Sequence, residues 1–146
     1  MKILLINPPA PKNVEMVREG RCMQRKGAWS AVWAPISLAY LGAVLEKENH
    51  EVKLYDCIVD QINFDALKKI ISDYKPSLII CNTSTPSIES NLSVSKITRD
   101  IIPKAKIGFI RIHVTAMDSE CLKGMSDNDF IIRGEPEVTA APFRRV

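Results

Sequence analysis

Cysteine chemistry is sparse in this chain. Cys22, Cys57, Cys81 and Cys121 are its four cysteines, scattered without a C-x-x-C pair, and neither of the two histidines stands at ligand spacing from them. That pattern gives no zinc site and no iron–sulfur cluster. Cys81 lies in an apolar run and reads as a buried, inert thiol. No G-x-G-x-x-G or Walker pattern is present, which weakens a nucleotide- or flavin-binding reading. No apolar run approaches the ~20 residues of a membrane span. The opening run Lys2-Ile3-Leu4-Leu5-Ile6 is cut by Asn7-Pro8-Pro9, too early for a signal-peptide core. The net charge of +3 is too small to argue for nucleic acid. These absences leave a protein expected in the cytoplasm, with no membrane partner and nucleic acid disfavoured.

What the chain does contain is ordinary globular material: 46% hydrophobic and 25% charged residues over 146 positions, enough for one domain with a core. Its most informative stretch runs from Ser77 to Ser87. Leu78-Ile79-Ile80-Cys81 is uncharged and apolar, as a strand buried on both faces requires. The sequence then turns to Asn82, Thr83, Ser84, Thr85, Pro86 and Ser87 just before a helical pattern. Hydroxyls at the carboxyl end of a parallel strand sit where open α/β sheets bind ligands. They suit a neutral ligand rich in amides and hydroxyls, or a phosphate at a helix start.

Around that stretch the chain alternates. Lys2–Ile6, Val52–Tyr55, Leu78–Cys81, Lys106–Ile110 and Asp129–Ile132 read as five short strands. Helical patterns separate them. Pro35 opens one, with Leu38, Leu41 and Leu45 on one side and Gly42 and Ala43 keeping it thin, and Asn49-His50 ends it with His50 exposed. Asn63 caps a second, whose stripe is Phe64, Leu67, Ile71 and Tyr74. A third runs from about Ser87 to Ile102 with Ile88, Leu92, Ile97 and Ile101 as its apolar side, and a short one spans Ser119 to Met125. The expected fold is therefore an α/β, doubly wound, flavodoxin-like parallel sheet of five strands in the order 2-1-3-4-5, with helices on both faces. The loops after the first and third strands would flank one crevice, and those after the fourth and fifth would extend its rim.

Residues 8–34 show no clear period and read as a long loop inserted after the first strand, carrying Lys12, Arg18, Arg21, Arg25, Lys26, Trp29 and Trp33. Loops of that length are uncommon in compact domains and are often functional. A solvated loop with two tucked tryptophans is the equal alternative. A receiver-type regulatory domain is disfavoured, because Asn7 and Asn82-Thr83 stand where acidic and phosphorylatable residues belong.

Five motifs occur in order: Ile6-Asn7-Pro8-Pro9, Pro35 to Leu41, Thr85-Pro86-Ser87, His113-Val114-Thr115-Ala116 and Arg133-Gly134-Glu135-Pro136-Glu137. Together they resemble the N-terminal cobalamin-binding domain of cobalamin-dependent radical SAM proteins, over nearly the whole chain. The resemblance implies a flavodoxin-like fold with cobalamin as the cofactor, its nucleotide tail inserted at the carboxyl edge of the sheet. It places Thr83, Ser84, Thr85, Pro86 and Ser87 against the corrin amides or the tail, Asn7, Pro8 and Pro9 on the opposite wall, and Arg111, His113, Gly134 and Glu135 on the rim. Residues 1–140 would be the domain and 141–146 a tail preceding, in complete members, a radical SAM domain supplied in cis or in trans. This chain would then hold no iron–sulfur cluster and would not catalyse alone. Many such enzymes are methyltransferases.

Two departures matter. The methionine-synthase type of cobalamin domain offers a cobalt-coordinating His in D-x-H-x-x-G. Asp56 to Gln61 matches that stretch with Ile58 in place of the His, so no such imidazole is expected here. Near Arg111 the family usually has Gly, which permits close backbone approach. Arg111 is expected to crowd the ligand, to reach the phosphate of the tail, or to lie solvated at the surface.

Overall fold

A computed structural model describes residues 1–19, 22–27 and 31–140. Five parallel strands form the main sheet: β1 (Lys2–Asn7), β4 (Glu51–Asp56), β5 (Leu78–Asn82), β6 (Lys106–Ile110) and β7 (Asp129–Ile132), in the spatial order β4-β1-β5-β6-β7. This is the expected 2-1-3-4-5 order, with the topological switch between β1 and β5. Because every strand runs the same way, Asn7, Asp56, Asn82, Ile110 and Ile132 all end at one edge.

Period-two alternation sorts the apolar side chains into two cores. Leu4, Ile6, Ile79, Cys81, Ile107 and Phe109 face α2 (Phe64–Tyr74) and α3 (Ile88–Ile101). Ile3, Leu5, Leu78, Ile80, Ile110 and Ile132 face α1 (Ile36–Lys47) and α6 (Pro136–Ala140). β1 and β5 are buried on both faces, which is why their sequences are apolar without interruption. Helix α1 comes close to the sheet at Gly42, where a Cβ would stand 3.3 Å from Leu5 Cδ1.

Helix α2 follows the sequence reading. Leu67, Ile71 and Tyr74 are buried, and the Asn63 side chain accepts the Ala66 N–H at 2.9 Å. Helix α3 does not. Its buried residues are Ser90, Asn91, Val94, Ser95 and Thr98, while Ile88, Leu92, Ile97 and Ile101 are only partly buried. The reason is polar pairing on the inner face. Ser95 Oγ donates to the buried carboxylate of Asp129 at 2.8 Å, and Arg99 reaches the same carboxylate at 3.0 Å. Thr98 donates back to the Val94 carbonyl. The hydroxyls of Ser95 and Thr98 thus let α3 lie close while staying paired.

Three further expectations are corrected. Residues 8–34 are not a plain loop: β2 (Met16–Glu19) and β3 (Cys22–Arg25) pair as an antiparallel hairpin, with Met16, Val17 and Met23 buried. His50 is 6% exposed rather than a surface residue, its Nδ1 lying 3.4 Å from the amino terminus. The stretch just after β6 is not a loop but the short helix α4 (Ile112–Ala116), followed by α5 (Asp118–Lys123), which matches the short helix expected over Ser119 to Met125. Arg21, Trp29 and the tail 141–146 lie outside the described residues. Among the described residues, no helix is long and apolar enough to cross a membrane.

The Asn63 cap gives a direct stability test. Asn63→Ala removes the acceptor for one free helix N–H and should destabilise the domain by about 1 kcal/mol, read as a lowered urea midpoint at unchanged slope.

Candidate functional site at the carboxyl edge

Three strand ends are tied together by side chains at the switch point. Asn7 Nδ2 donates to Asp56 Oδ2 at 3.0 Å, and Asn82 Nδ2 donates to Asn7 Oδ1 at 2.7 Å. All three residues are buried. The register brings Asn7 opposite Asp56, so the pairing is built into the ladder. Asn82 Oδ1 has no hydrogen-bond partner among the described residues.

The hydroxyls that follow β5 divide into two groups. Thr83 places both its N–H and its Oγ1 on the Ile110 carbonyl, extending the β5–β6 pairing by one step. Ser84 Oγ donates to the Met23 carbonyl at 2.9 Å, which pins the β2–β3 hairpin over the turn. Ser84 N–H donates to Ser87 Oγ at 2.9 Å, and Asn91 Nδ2 donates to the Ser87 carbonyl at 3.1 Å. Thr83, Ser84 and Ser87 are therefore buried and internally paired. Thr85 and Pro86 are exposed, and Thr85 Oγ1 lies 3.1 Å from His113 Nδ1. The structure thus brings Thr85 and His113 together across the β5 and β6 loops, as an accessible polar pair.

Around the same turn several buried polar atoms stay unsatisfied. Besides Asn82 Oδ1, Ser90 Oγ and Asn91 Oδ1 have no partner among the described residues. Each such atom costs about 1–3 kcal/mol if nothing meets it. Their clustering in sequence, from the end of β5 into the first turn of α3, marks where a polar ligand or water has something to satisfy.

Pro8 and Pro9 are buried beside this edge. Pro9 also lines a cleft of about 290 Å³ between the hairpin and the β4–α2 loop, with Met16, Lys26, Cys57, Ile58 and Gln61. The position compared above with a cobalt-binding His, Ile58, therefore opens onto a cleft with an apolar side chain. Cys57 in its wall is no ready ligand. Burial, with Asp56 and Asp60 adding to it, pushes the thiol up to about 12.

Arg111 is the anomaly of the rim. Its backbone has φ 88° and ψ −168°, a conformation populated essentially by Gly and costing other residues about 1–3 kcal/mol. The expectation of Gly at this place fits that backbone. The side chain is not solvated: it is 8% exposed, and its Nη2 stands 4.0 Å from Glu137 Oε1. Gly134 also has positive φ, at 74°, and both it and Glu135 are exposed. Gly134 and Glu135 thus hold the outer rim, while Asn7, Pro8, Pro9 and the inner hydroxyls form its floor.

Asp56, Asn82, Asn91, Met23 and Glu137 were absent from the sequence-derived site. A polar residue closing each of three neighbouring parallel strands was the available signal for Asn82 and Asp56. Met23 contributes a backbone carbonyl, which no sequence pattern advertises.

An open α/β sheet with a polar, partly unsatisfied carboxyl edge defines a small-molecule or cofactor-binding domain of flavodoxin-like type. Residues 29–143 match the B12 binding domain family, and the chain belongs to that family. It resembles the N-terminal cobalamin domain of radical SAM methyltransferases. It is 27% identical over 139 residues to the uncharacterized methyltransferase PH0819 of Pyrococcus horikoshii, covering 95% of this chain and 28% of that protein. It is 27% identical over 106 residues to the anaerobic magnesium-protoporphyrin IX monomethyl ester cyclase of Cereibacter sphaeroides, covering 72% of this chain and 17% of that one. The fold matches the radical S-adenosylmethionine methyltransferase TsrM of Kitasatospora setae, in a structure with tryptophan and a SAM analogue bound, at TM-score 0.68 and 18% identity, over 96% of this chain and 24% of that one. A second TsrM structure, with cobalamin and a 4Fe–4S cluster bound, matches at TM-score 0.58. The chain thus spans about a quarter of the length of PH0819 and TsrM.

The buried chain of side chains predicts a sizeable stability effect. Asn7→Ala deprives the Asp56 carboxylate of one donor and Asn82 of its acceptor. The domain should lose about 2–4 kcal/mol, measured by urea unfolding, with Asn7→Asp no milder because it sets a second carboxylate against Asp56.

Proposed function

We propose that this chain binds cobalamin at the carboxyl edge of its sheet, as the cofactor-holding part of a larger cobalamin-dependent radical SAM enzyme. The observation that carries the reading is the set of buried polar atoms without a partner among the described residues, Asn82 Oδ1, Ser90 Oγ and Asn91 Oδ1, at the switch-point edge of a B12-binding-family domain. Cobalamin presents neutral amides, hydroxyls and one phosphate, and the edge answers with neutral amide and hydroxyl groups rather than a cluster of lysines. The donor set fits.

Bound cobalamin supplies a cobalt centre that can carry a methyl group, the chemistry of many enzymes in this resembled class. This chain's residues bind and orient. Asn7, Pro8 and Pro9 shape one wall. Thr85, Pro86 and His113 are the exposed contacts of the rim, joined by Gly134 and Glu135. Thr83, Ser84 and Ser87 hold the β5–α3 turn and meet the ligand where their internal bonds exchange. Ile58 leaves the β4–α2 loop without a nitrogen ligand for cobalt. Among the described residues, Cys57, Cys81 and Cys121 are buried in one apolar core where burial raises the Cys57 and Cys81 thiols, which supports assigning the iron–sulfur cluster to a radical SAM domain in cis or in trans.

The test is retention of corrin. The chain mixed with hydroxocobalamin and desalted should keep the corrin visible spectrum at about one per chain. In the reduced cob(II)alamin form, electron paramagnetic resonance should show no nitrogen splitting from this protein. Loss of all corrin absorbance on desalting contradicts the reading. Nitrogen splitting that changes when the protein is 15N-labelled, and so does not come from the cofactor's own base, contradicts the role given to Ile58 and points to His113.

A further inference from the structure

Arg111 and Glu137 form a buried pair that does not close. The Arg111 Nη2 and Glu137 Oε1 atoms stand 4.0 Å apart. Arg111 Nε and Nη2 donate no hydrogen bond among the described residues, and Glu137 Oε2 accepts none. Exposure is 8% for the Arg111 side chain and 14% for that of Glu137. A purely structural Arg–carboxylate pair would settle into two parallel hydrogen bonds, because each unmade bond is costly in a buried place. The backbone holds the gap open. Arg111 is fixed in its Gly-like conformation, with its carbonyl accepting from both Thr115 N–H at 3.1 Å and Thr115 Oγ1 at 2.9 Å. Glu137 is fixed in the first turn of α6, which packs on α1. An added side chain at Gly134, three residues before Glu137, would meet nothing within 4 Å, so the loop leading into α6 is open to a ligand.

A gap with donors on one side and an acceptor on the other selects its guest by chemistry. A phosphate or carboxylate would satisfy the guanidinium but face the Glu137 carboxylate. An ammonium would do the reverse. A primary carboxamide satisfies both, its oxygen accepting from Arg111 and its N–H donating to Glu137. We propose that Arg111 and Glu137 form a recognition site for a neutral primary carboxamide, and that its guest is one of the peripheral amides of the corrin. The inference rests on the cobalamin reading above and replaces the phosphate contact considered for Arg111.

The experiment compares hydroxocobalamin with its monocarboxylic acids, in each of which one peripheral amide is hydrolysed. Affinities are measured by titrating the whole chain. One isomer should bind at least roughly tenfold more weakly than the parent, and the others within about twofold of it. Glu137→Gln, equal in shape, should shrink that gap to about threefold or less, because a Gln amide donates to the carboxylate. Arg111→Lys probes the other partner: losing the planar fork should weaken the parent and narrow the gap too. Equal affinity for the parent and every isomer overturns the inference while leaving the cobalamin reading intact. A gap unmoved in both variants assigns the amide to other residues and also overturns it. Failure of the wild type to bind the parent overturns the cobalamin reading, and this inference with it.

Discussion

The buried hydrogen-bonded chain Asp56–Asn7–Asn82 is the constraint on which the carboxyl edge depends. A parallel sheet holds its strands by backbone ladders, but those ladders stop where the loops begin. At this switch point three strand ends would otherwise be free to splay. The Asn7 amide uses its donor on β4 and its acceptor on β5, so one residue fixes both neighbours. Asn suits the task because it carries both functions on one short planar group. The Pro8-Pro9 turn can then leave the sheet without a ladder of its own.

From that fixed edge the rest of the site follows. Thr83 extends the β5–β6 pairing by one step, and the Ser84–Ser87–Asn91 bonds set the turn into α3. The hairpin lies across this turn through the Ser84 hydroxyl and the Met23 carbonyl. Among the described residues, the buried atoms left without a hydrogen-bond partner include acceptors and a hydroxyl near the turn, Ser126 Oγ before β7, and atoms of the Arg111–Glu137 pair on the β6 and β7 side. In a domain whose other buried polar groups are largely satisfied, these are the places with something to offer a ligand.

Much of the fold was legible. The five strands, their order and the two-sided core follow from uncharged runs separated by helical stripes, and Asn63 was readable as a cap. The misreadings have physical causes. The face of α3 was assigned by counting isoleucines, but burial there is decided by close approach and by the Ser95–Asp129–Arg99 bonds, which need a partner far away in sequence. The hairpin was missed because two four-residue strands carry too little periodicity to register. Arg111 was placed at the rim, yet its burial depends on α6 folding back beside it. The candidate site was legible as a region, since hydroxyls follow the apolar strand β5 at the edge where open α/β sheets bind ligands. The division between inward-paired and exposed hydroxyls was not, because it depends on the Met23 and Ile110 carbonyls.

The central claim is that cobalamin meets this protein at the carboxyl edge, around the ends of β1 and β5. Backbone amide resonances, followed by nuclear magnetic resonance while diamagnetic hydroxocobalamin is added, test it most directly. The account predicts shifts concentrated at Asn7, Thr83 to Ser87 apart from Pro86, Arg111 to His113 and Gly134 to Glu135, with the opposite edge around Lys2, Ser77 and Lys106 left in place. Shifts confined to that opposite edge, or a saturable spectral change with none of the carboxyl-edge amides moving, would contradict it.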